Sequence, residues 1–172
     1  MNVMHDLPYT TPGEFLELFG IDTTRKGAAD FCELVRRAAL VARFPELHVG
    51  CYQVALLDMG TRHNSPTVYW GNMKRAIAPA LEAGRDTLGA LLGFSIPGDG
   101  EVSTYALANA LAGSLALLAA DWYRTLCEQH TAGDRPDDLQ MPVLLAQEAD
   151  RREAEQIAAQ VRSHQKRRNG GR

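Results

Sequence analysis

Residues 62–75 carry side chains that could contact a nucleic acid. They are mostly small, polar or basic, and no carboxylate occurs between Arg62 and Glu82. Guanidinium, ammonium, hydroxyl and amide groups donate hydrogen bonds to phosphates and to base edges. The segment therefore predicts DNA contact, while a solvated helix face without acids remains the alternative. The candidate contact residues are Arg62, His63, Ser65, Thr67, Asn72, Lys74, Arg75 and Arg85, of which His63 also reads as an ordinary surface histidine.

A turn followed by a helix start positions these side chains. The turn is indicated by Gly60, Asn64, Ser65 and Pro66, which cluster between two apolar-periodic segments. Ser65 before Pro66 predicts a helix N-terminus, because the hydroxyl can cap free backbone N–H groups and the proline lacks only an N–H that would be unpaired there. In a helical projection of residues 66–84 at 3.6 residues per turn, one side faces the core. This side consists of Trp70, Met73, Ile77, Ala80, Leu81 and Gly84. The opposite side carries Thr67, Val68, Gly71, Asn72, Arg75 and Ala78, with Lys74 at its edge.

Two longer helices are predicted before the turn. The run from Gly27 should stop before Pro45 and carries apolar residues at helical spacing, namely Phe31, Leu34, Val35, Ala38 and Val41. Residues 48–64 repeat the pattern and form the first helix of the pair, with core positions at Val49, Tyr52, Val54, Leu56 and Leu57. A short helix is also expected over 13–21, ending at Gly20.

After the turn, the helix from Pro66 is expected to close at Gly84, with Pro79 kinking or ending it nearby. Residues 85–93 then predict another short apolar helix. Residues 106–120 contain no charge but fall short of the roughly 20 residues that span a bilayer, so they predict a buried helix that begins near Thr104. Residues 131–142 have the composition of a linker.

The C-terminal part combines a charged helix from residue 143 with a basic tail. Acidic residues stop at Glu155, and the last residues are basic without counter-charge. Such a tail can add sequence-independent phosphate contacts, and a merely solvated tail is the alternative. The cations assigned to it are Arg162, Lys166, Arg167 and Arg168.

Composition narrows the class of protein. The chain has 172 residues and a net charge of −3, so any DNA binding must come from local clustering of cations. Three widely spaced cysteines argue against a disulfide framework and fit a reducing compartment. No signal peptide, membrane span, metal-ligand pattern, cofactor motif or catalytic constellation is recognisable, so we expect a cytoplasmic protein that is not an enzyme and needs no metal or cofactor.

The expected fold class is all-α, because no strand-like alternation persists beyond a few residues. We expect a compact bundle of about six helices that contains a helix-turn-helix, plus the C-terminal charged helix. The predicted organisation is an irregular lead-in at 1–12, a helix-turn-helix domain at 13–130, the linker at 131–142, and the charged helix with its basic tail at 143–172.

Residues 13 to about 118 resemble the C-terminal DNA-binding domain of the sporulation-initiation response regulator of endospore formers. The matching blocks occur in the family's order: FGI with RKG at 19–27, LVRRAAL in the long helix, the HNSP turn, KRAIAPALE at 74–82, and LLGF at 91–94. The resemblance implies a six-helix bundle that binds DNA as dimers on adjacent half-sites and regulates transcription. It also implies DNA contacts by Ser65, Thr67, Lys74 and Arg75, whereas Asn72 is added from the helical projection.

Three features depart from the family pattern. About two extra residues stand in the VYWGN region, Ala78 and Pro79 replace residues that tend to be polar or basic, and no segment resembles the receiver domain. The resemblance and the exposed face of the helix after the turn together favour, as the leading hypothesis, a dimeric transcriptional regulator that binds double-stranded DNA. The alternative is a helical module that holds a protein partner, through the exposed helix or through residues 143–165.

Overall fold

The computed structural model describes residues 22–62, 64–92, 104–131 and 137–171, together with Glu17. Within this part of the chain the protein is all-α, as predicted, with five α-helices and no strand. We label them α1 (Lys26–Ala42), α2 (Cys51–Arg62), α3 (Pro66–Leu92), α4 (Thr104–Thr131) and α5 (Asp137–Gly170), with a 3₁₀ turn at Pro45–Leu47. The helix predicted over 13–21 lies outside the described residues except for Glu17, which is helical.

Helix α1 is the centre of the bundle and packs against the four other helices. Its apolar residues recur at the spacing predicted from the sequence, and Phe31, Leu34 and Val35 are fully buried. The helix ends at Ala42 because Pro45 cannot continue it, and the chain turns through the 3₁₀ segment into α2. His48 closes that turn in the left-handed region, with φ 54°.

Helix α2 lies against α1 with a different core face from the one predicted. Val54 and Leu57 are buried as expected, but Leu56 and Val49 are only partly buried and Tyr52 is 54% exposed. Cys51, Ala55 and Met59 complete the buried face instead. The prediction for Tyr52 was wrong: its ring contacts the Tyr105 ring of α4 edge-on, with centroids 5.9 Å apart, and about half of the side chain stays exposed.

The described residues form five α-helices, counting the charged C-terminal one, because α3 includes one of the predicted helices and the helix predicted over 13–21 lies outside this part of the chain apart from Glu17. Helix α3 continues through Pro79 and Gly84 to Leu92, so the separate helix predicted over 85–93 is its last part. Pro79 withdraws only one backbone N–H, and because it lies on the exposed side, the carbonyl that loses this donor can accept from water. A glycine inside a helix costs about 1 kcal/mol but does not end it.

Helix α4 is the buried helix predicted from the uncharged run at 106–120. Leu107, Ala108 and Leu111 are at most 1% exposed, while Leu117 is 71% exposed. Within the described residues, no helix is both long enough and apolar enough to cross a membrane.

Helix α5 belongs to the same core as the other helices. The structure differs from the predicted linker over 131–142, because α5 already begins at Asp137, and the basic tail is helical to Gly170. Its apolar stripe, which includes Ile157 and Val161, is buried against α1, α2 and α4. Three ion pairs fasten its middle to the far end of α1 and the turn after it: Arg43–Asp150 at 2.6 Å, Arg36–Glu153 at 2.8 Å and Arg151–Glu46 at 2.9 Å.

Candidate nucleic-acid interface

Helices α2 and α3 form two consecutive helices joined by residues 63–65. The Ser65 hydroxyl accepts a hydrogen bond from the backbone N–H of Val68 at 3.3 Å, which is the N-cap predicted from the sequence. Pro66 stands at the first helical position, where its missing N–H costs nothing. The local chemistry of Ser65 and Pro66 therefore determines where α3 begins.

The first half of α3 has one buried and one exposed side. Tyr69, Met73, Ala76 and Ile77 are buried, at 2%, 0%, 7% and 1% exposure. The opposite side is formed by Thr67, Val68, Lys74, Arg75 and Ala78, all of which are exposed. The projection made from the sequence is confirmed for Met73 and Ile77 on the core side and for Thr67, Val68, Arg75 and Ala78 on the exposed side. Trp70, Gly71 and Asn72 are each only partly buried, and the predicted core side chains at 80, 81 and 84 lie outside the described residues.

A buried carboxylate joins the three helices behind this face. Asp58 of α2 is 3% exposed and forms an ion pair with Arg37 of α1. It also accepts a hydrogen bond from the Tyr69 hydroxyl of α3 at 3.3 Å. Burial raises the pKa of Asp58 above its usual value, although the guanidiniums of Arg37 and Arg62 oppose the shift. Burial and the charge of Asp58 also hold the pKa of Tyr69 well above its ordinary range, so the phenol remains a donor.

The backbones of α1 and α3 meet at a glycine. A methyl group added to Gly27 would lie 2.2 Å from the carbonyl oxygen of Asn72 and 3.3 Å from the side chain of Ala76. Only a residue without a side chain allows this close approach. Gly27 therefore sets the distance between α1 and the exposed part of α3.

Aromatic rings support the other edge of α3. Trp70 packs edge-on against Tyr69, with ring centroids 5.1 Å apart, and against Tyr105 of α4 at 6.2 Å. Together with Gly71, Lys74 and Thr104, the Trp70 and Tyr105 rings line a shallow groove between α3 and the start of α4. The exposed face of α3 is thus held from both sides, by α1 and by α4.

The structure divides the predicted contact residues into groups. Thr67, Lys74 and Arg75 lie together on the exposed face of α3. Asn72 is half-buried at its edge, and its side-chain oxygen accepts a hydrogen bond from Arg75 Nη2 at 2.5 Å. Ser65 is exposed, but its hydroxyl is engaged in the N-cap.

Arg62 does not belong to this face, because its guanidinium is paired with Asp30 of α1. Contact with a phosphate would require the guanidinium to exchange one anion for another. The side chains of His63 and Arg85 lie outside the described residues.

The four cations assigned to the basic tail are exposed on the last turns of α5. This end of α5 lies along α2: the ring of His164 packs against Gly60, where an added methyl group would lie 2.4 Å from the ring. Arg167 lines a groove that includes Gly60 and Thr61, which are within the last turn of α2. A second groove brings Arg168 beside Leu56. The basic residues of α5 are therefore placed next to the helix that leads into the 63–65 turn.

Sequence reasoning did not identify Asp58, Gly27 or the contact between Gly60 and His164. A signal for Asp58 was present, because it is the one charged residue between Glu46 and Arg62 and it stands within an apolar run. The roles of Gly27 and Gly60 depend on which helix lies opposite, and a single sequence does not contain that information.

Within the described residues, no group of three or more His, Cys, Asp or Glu side chains could hold a metal ion. Cys32 and Cys51 are free thiols, and burial raises the pKa of each to about 11, so both are protonated at neutral pH. These two thiols are poor nucleophiles for that reason.

Comparison with known proteins identifies no relative: no protein-family model, curated protein or solved structure matches the chain. The resemblance to the sporulation regulator's DNA-binding domain stays a prediction.

Proposed function

We propose that this chain is a sequence-specific DNA-binding protein that regulates transcription as a dimer in the cytoplasm. The first half of α3 would enter the major groove, with α2 crossing the sugar-phosphate backbone. The observation that carries the proposal is the face formed by Thr67, Lys74 and Arg75, which is exposed while the reverse side of the same helix turns is almost fully buried.

Rigid support of this face favours readout of base edges. Direct readout requires side chains held in register with the base pairs, since a misplaced donor loses its hydrogen bond. Here Asp58 ties α3 to α1 and α2 through Tyr69 and Arg37, and Gly27 brings the backbone of α1 against Asn72. The helix that would read the DNA is therefore fixed by buried contacts with α1 and α2.

Local charge also favours DNA, despite the net charge of −3. The sequence contains no Asp or Glu between Met59 and Ala80, nor after Glu155. The two segments lie at neighbouring places in the fold, since the last turns of α5 line grooves with α2. Acidic residues outside these two segments account for the negative total, and the two that lie close to this end of the fold, Asp30 and Asp58, are paired with Arg62 and Arg37.

Arg75 is the residue most suited to specific readout. Its guanidinium is exposed and is already oriented by the hydrogen bond to Asn72. A guanidinium can donate two parallel hydrogen bonds to O6 and N7 of guanine, and Asn can pair in the same way with adenine. Lys74 and Thr67 are suited to phosphates or to neighbouring bases.

Selection of bound sequences from a random duplex pool tests the proposal. Enrichment of one motif, repeated or palindromic with half-sites about 10 base pairs apart, is the expected result for a dimer. No enrichment at low salt would contradict it. With the selected duplex, Arg75→Ala should weaken specific binding by about 1–3 kcal/mol while leaving a scrambled duplex unaffected.

The matched control is Arg152→Ala, which removes another exposed arginine, from the middle of α5. It should leave discrimination between the selected and scrambled duplexes unchanged. If Arg75→Ala behaves like Arg152→Ala, Arg75 does not read the sequence.

The alternative of a protein-binding module receives less support. An apolar docking patch on α3 would need Val68, Tyr69 and Trp70 exposed together, whereas Tyr69 is 2% exposed and Trp70 is partly buried. The apolar stripe of residues 143–165 is covered within the chain at Ile157 and Val161.

A further inference from the structure

The C-terminal end of α5 combines charge with a fixed position. Four cations, Arg162, Lys166, Arg167 and Arg168, occur there without any carboxylate after Glu155. The segment is helical to Gly170, and all four side chains are exposed. Their positions relative to one another are therefore set by helix geometry.

Buried contacts hold this end of the helix on α2. Val161 is 3% exposed in the core, and one turn later the His164 ring lies in the space that Gly60 leaves open. Arg168 is four residues beyond His164, or about 6 Å along the axis. The cations therefore follow directly on an anchored segment.

Stabilisation of the helix itself does not account for the number of cations. Positive side chains in the last turn interact favourably with the partial negative charge of a helix C-terminus. Only Arg167 and Arg168 are in the last turn, whereas Arg162 and Lys166 precede it. Of the four cations, Arg167 lines the groove with Gly60 and Thr61, just before the turn that leads into α3, and Arg168 lines the groove with Leu56.

We infer that the end of α5 is a second nucleic-acid contact, a preorganised helical ridge that binds the phosphates of duplex DNA beside the segment read by α3. The inference deepens the proposed function and rests on it for the position of the DNA. The ridge would supply affinity that does not depend on sequence, whereas α3 would supply discrimination.

The first test neutralises matched pairs of arginines on the same helix. Arg167→Gln with Arg168→Gln removes two charges from the ridge, and Arg151→Gln with Arg152→Gln removes two from the middle of α5, where both arginines have carboxylate partners. Glutamine is a good helix former, so both variants should keep α5 intact. Binding of a 20-base-pair duplex is then measured across a series of salt concentrations.

The variant without Arg167 and Arg168 should show a shallower salt dependence. The negative slope of log K for binding against log salt should shrink in magnitude by about 2, because each phosphate contact contributes about 0.9. The affinity of this variant for the cognate duplex and for the scrambled duplex should fall by the same factor. The control pair should leave the slope unchanged. Equal slopes in the ridge variant and in the unmodified protein would overturn the inference.

The second test asks whether the ridge must be helical. Ser163→Gly with Gln165→Gly keeps all the charges but disfavours the helix, because glycine has the lowest helix propensity apart from proline. Loss of helicity measured by circular dichroism should accompany weaker binding to any duplex. Unchanged affinity in a frayed variant would show that the cations act as a flexible tail, which contradicts preorganisation.

The outcomes separate this inference from the proposed function. If the protein binds all duplexes alike and the ridge variant flattens the salt dependence, the ridge stands and sequence-specific readout by α3 fails. If binding is specific but insensitive to the ridge variant, the proposed function stands and the ridge fails. Absence of binding to any duplex at low salt overturns both.

Discussion

Gly27→Ala is expected to destabilise the protein although alanine is the better helix former. Gly27 lies in the first turn of α1, and its added methyl group would lie 2.2 Å from the carbonyl oxygen of Asn72 and 2.6 Å from the carbonyl carbon. Both are backbone atoms, so no side-chain rotation can relieve the clash. The two helices would have to separate by roughly 1 Å to restore an ordinary contact.

The expected size follows from two opposing effects. Replacing a helical glycine by alanine stabilises by about 0.5–1 kcal/mol, because the unfolded chain loses less entropy. Overpacking a well-filled interface costs about 1–3 kcal/mol or more. The fully buried side chains nearby, Phe31 and Met73, leave little room for adjustment, so the cost should lie near the upper end of that range and the net loss should be about 2 kcal/mol.

Gly71→Ala is the matched control. It stands one residue before Asn72 on α3, and nothing lies within 4 Å of the position its methyl group would take. Only the smaller loss of backbone entropy on folding remains there, so the free energy of unfolding of this variant should rise by about 0.5–1 kcal/mol.

Urea unfolding followed by circular dichroism measures the free energy of unfolding for both variants. A change in midpoint with an unchanged slope identifies an effect on stability alone. If Gly27→Ala is as stable as the unmodified protein, or gains as much as Gly71→Ala, the close approach of α1 and α3 is refuted. The rigid placement of the exposed α3 face would lose its support with it.

Three further predictions concern the contacts behind and beside this face. Asp58→Ala should lower the free energy of unfolding by about 3–5 kcal/mol, because a guanidinium of α1 and the Tyr69 hydroxyl lose their buried acceptor. Tyr69→Phe should lower it by only about 1 kcal/mol, because one hydrogen bond is lost. Equal losses for the two variants in urea unfolding would contradict the role of Asp58 as the shared acceptor. Gly60→Ala should lower the free energy of unfolding, and adding His164→Ala should restore it, because the ring that the new methyl group meets is removed. A double variant no more stable than Gly60→Ala alone would exclude the packing of His164 against Gly60. The pKa of the Cys51 thiol is raised from 9.0 to about 11 by burial and the charge of Asp58, so the unfolded chain ionises first and the free energy of unfolding should fall as pH rises from about 9 to about 11. Cys51→Ala should show a smaller fall over that pH range, and parallel curves for the two proteins would rule out this contribution.

Local patterns predicted the helices whose signals lie within a few residues. The apolar spacing of Phe31, Leu34 and Val35 predicted α1, and Ser65 with Pro66 predicted the start of α3, because periodicity and capping act over one or two turns. The same rules were wrong at Gly84, where α3 continues, and over 137–142, where α5 has already begun. Glycine and proline lower helix propensity by amounts that packing against neighbouring helices can exceed.

For the candidate site, the sequence by itself determined which side chains α3 exposes. Arg75 is opposite Met73 and Ile77 in any helix with this spacing, and Thr67 and Lys74 lie together at one edge of the exposed side. Only the tertiary structure decided that Asp58 joins α3 to α1, and that the basic end of α5 lies beside α2. These contacts join residues far apart in the chain, and periodicity along one helix specifies which face is buried but not which helix covers it.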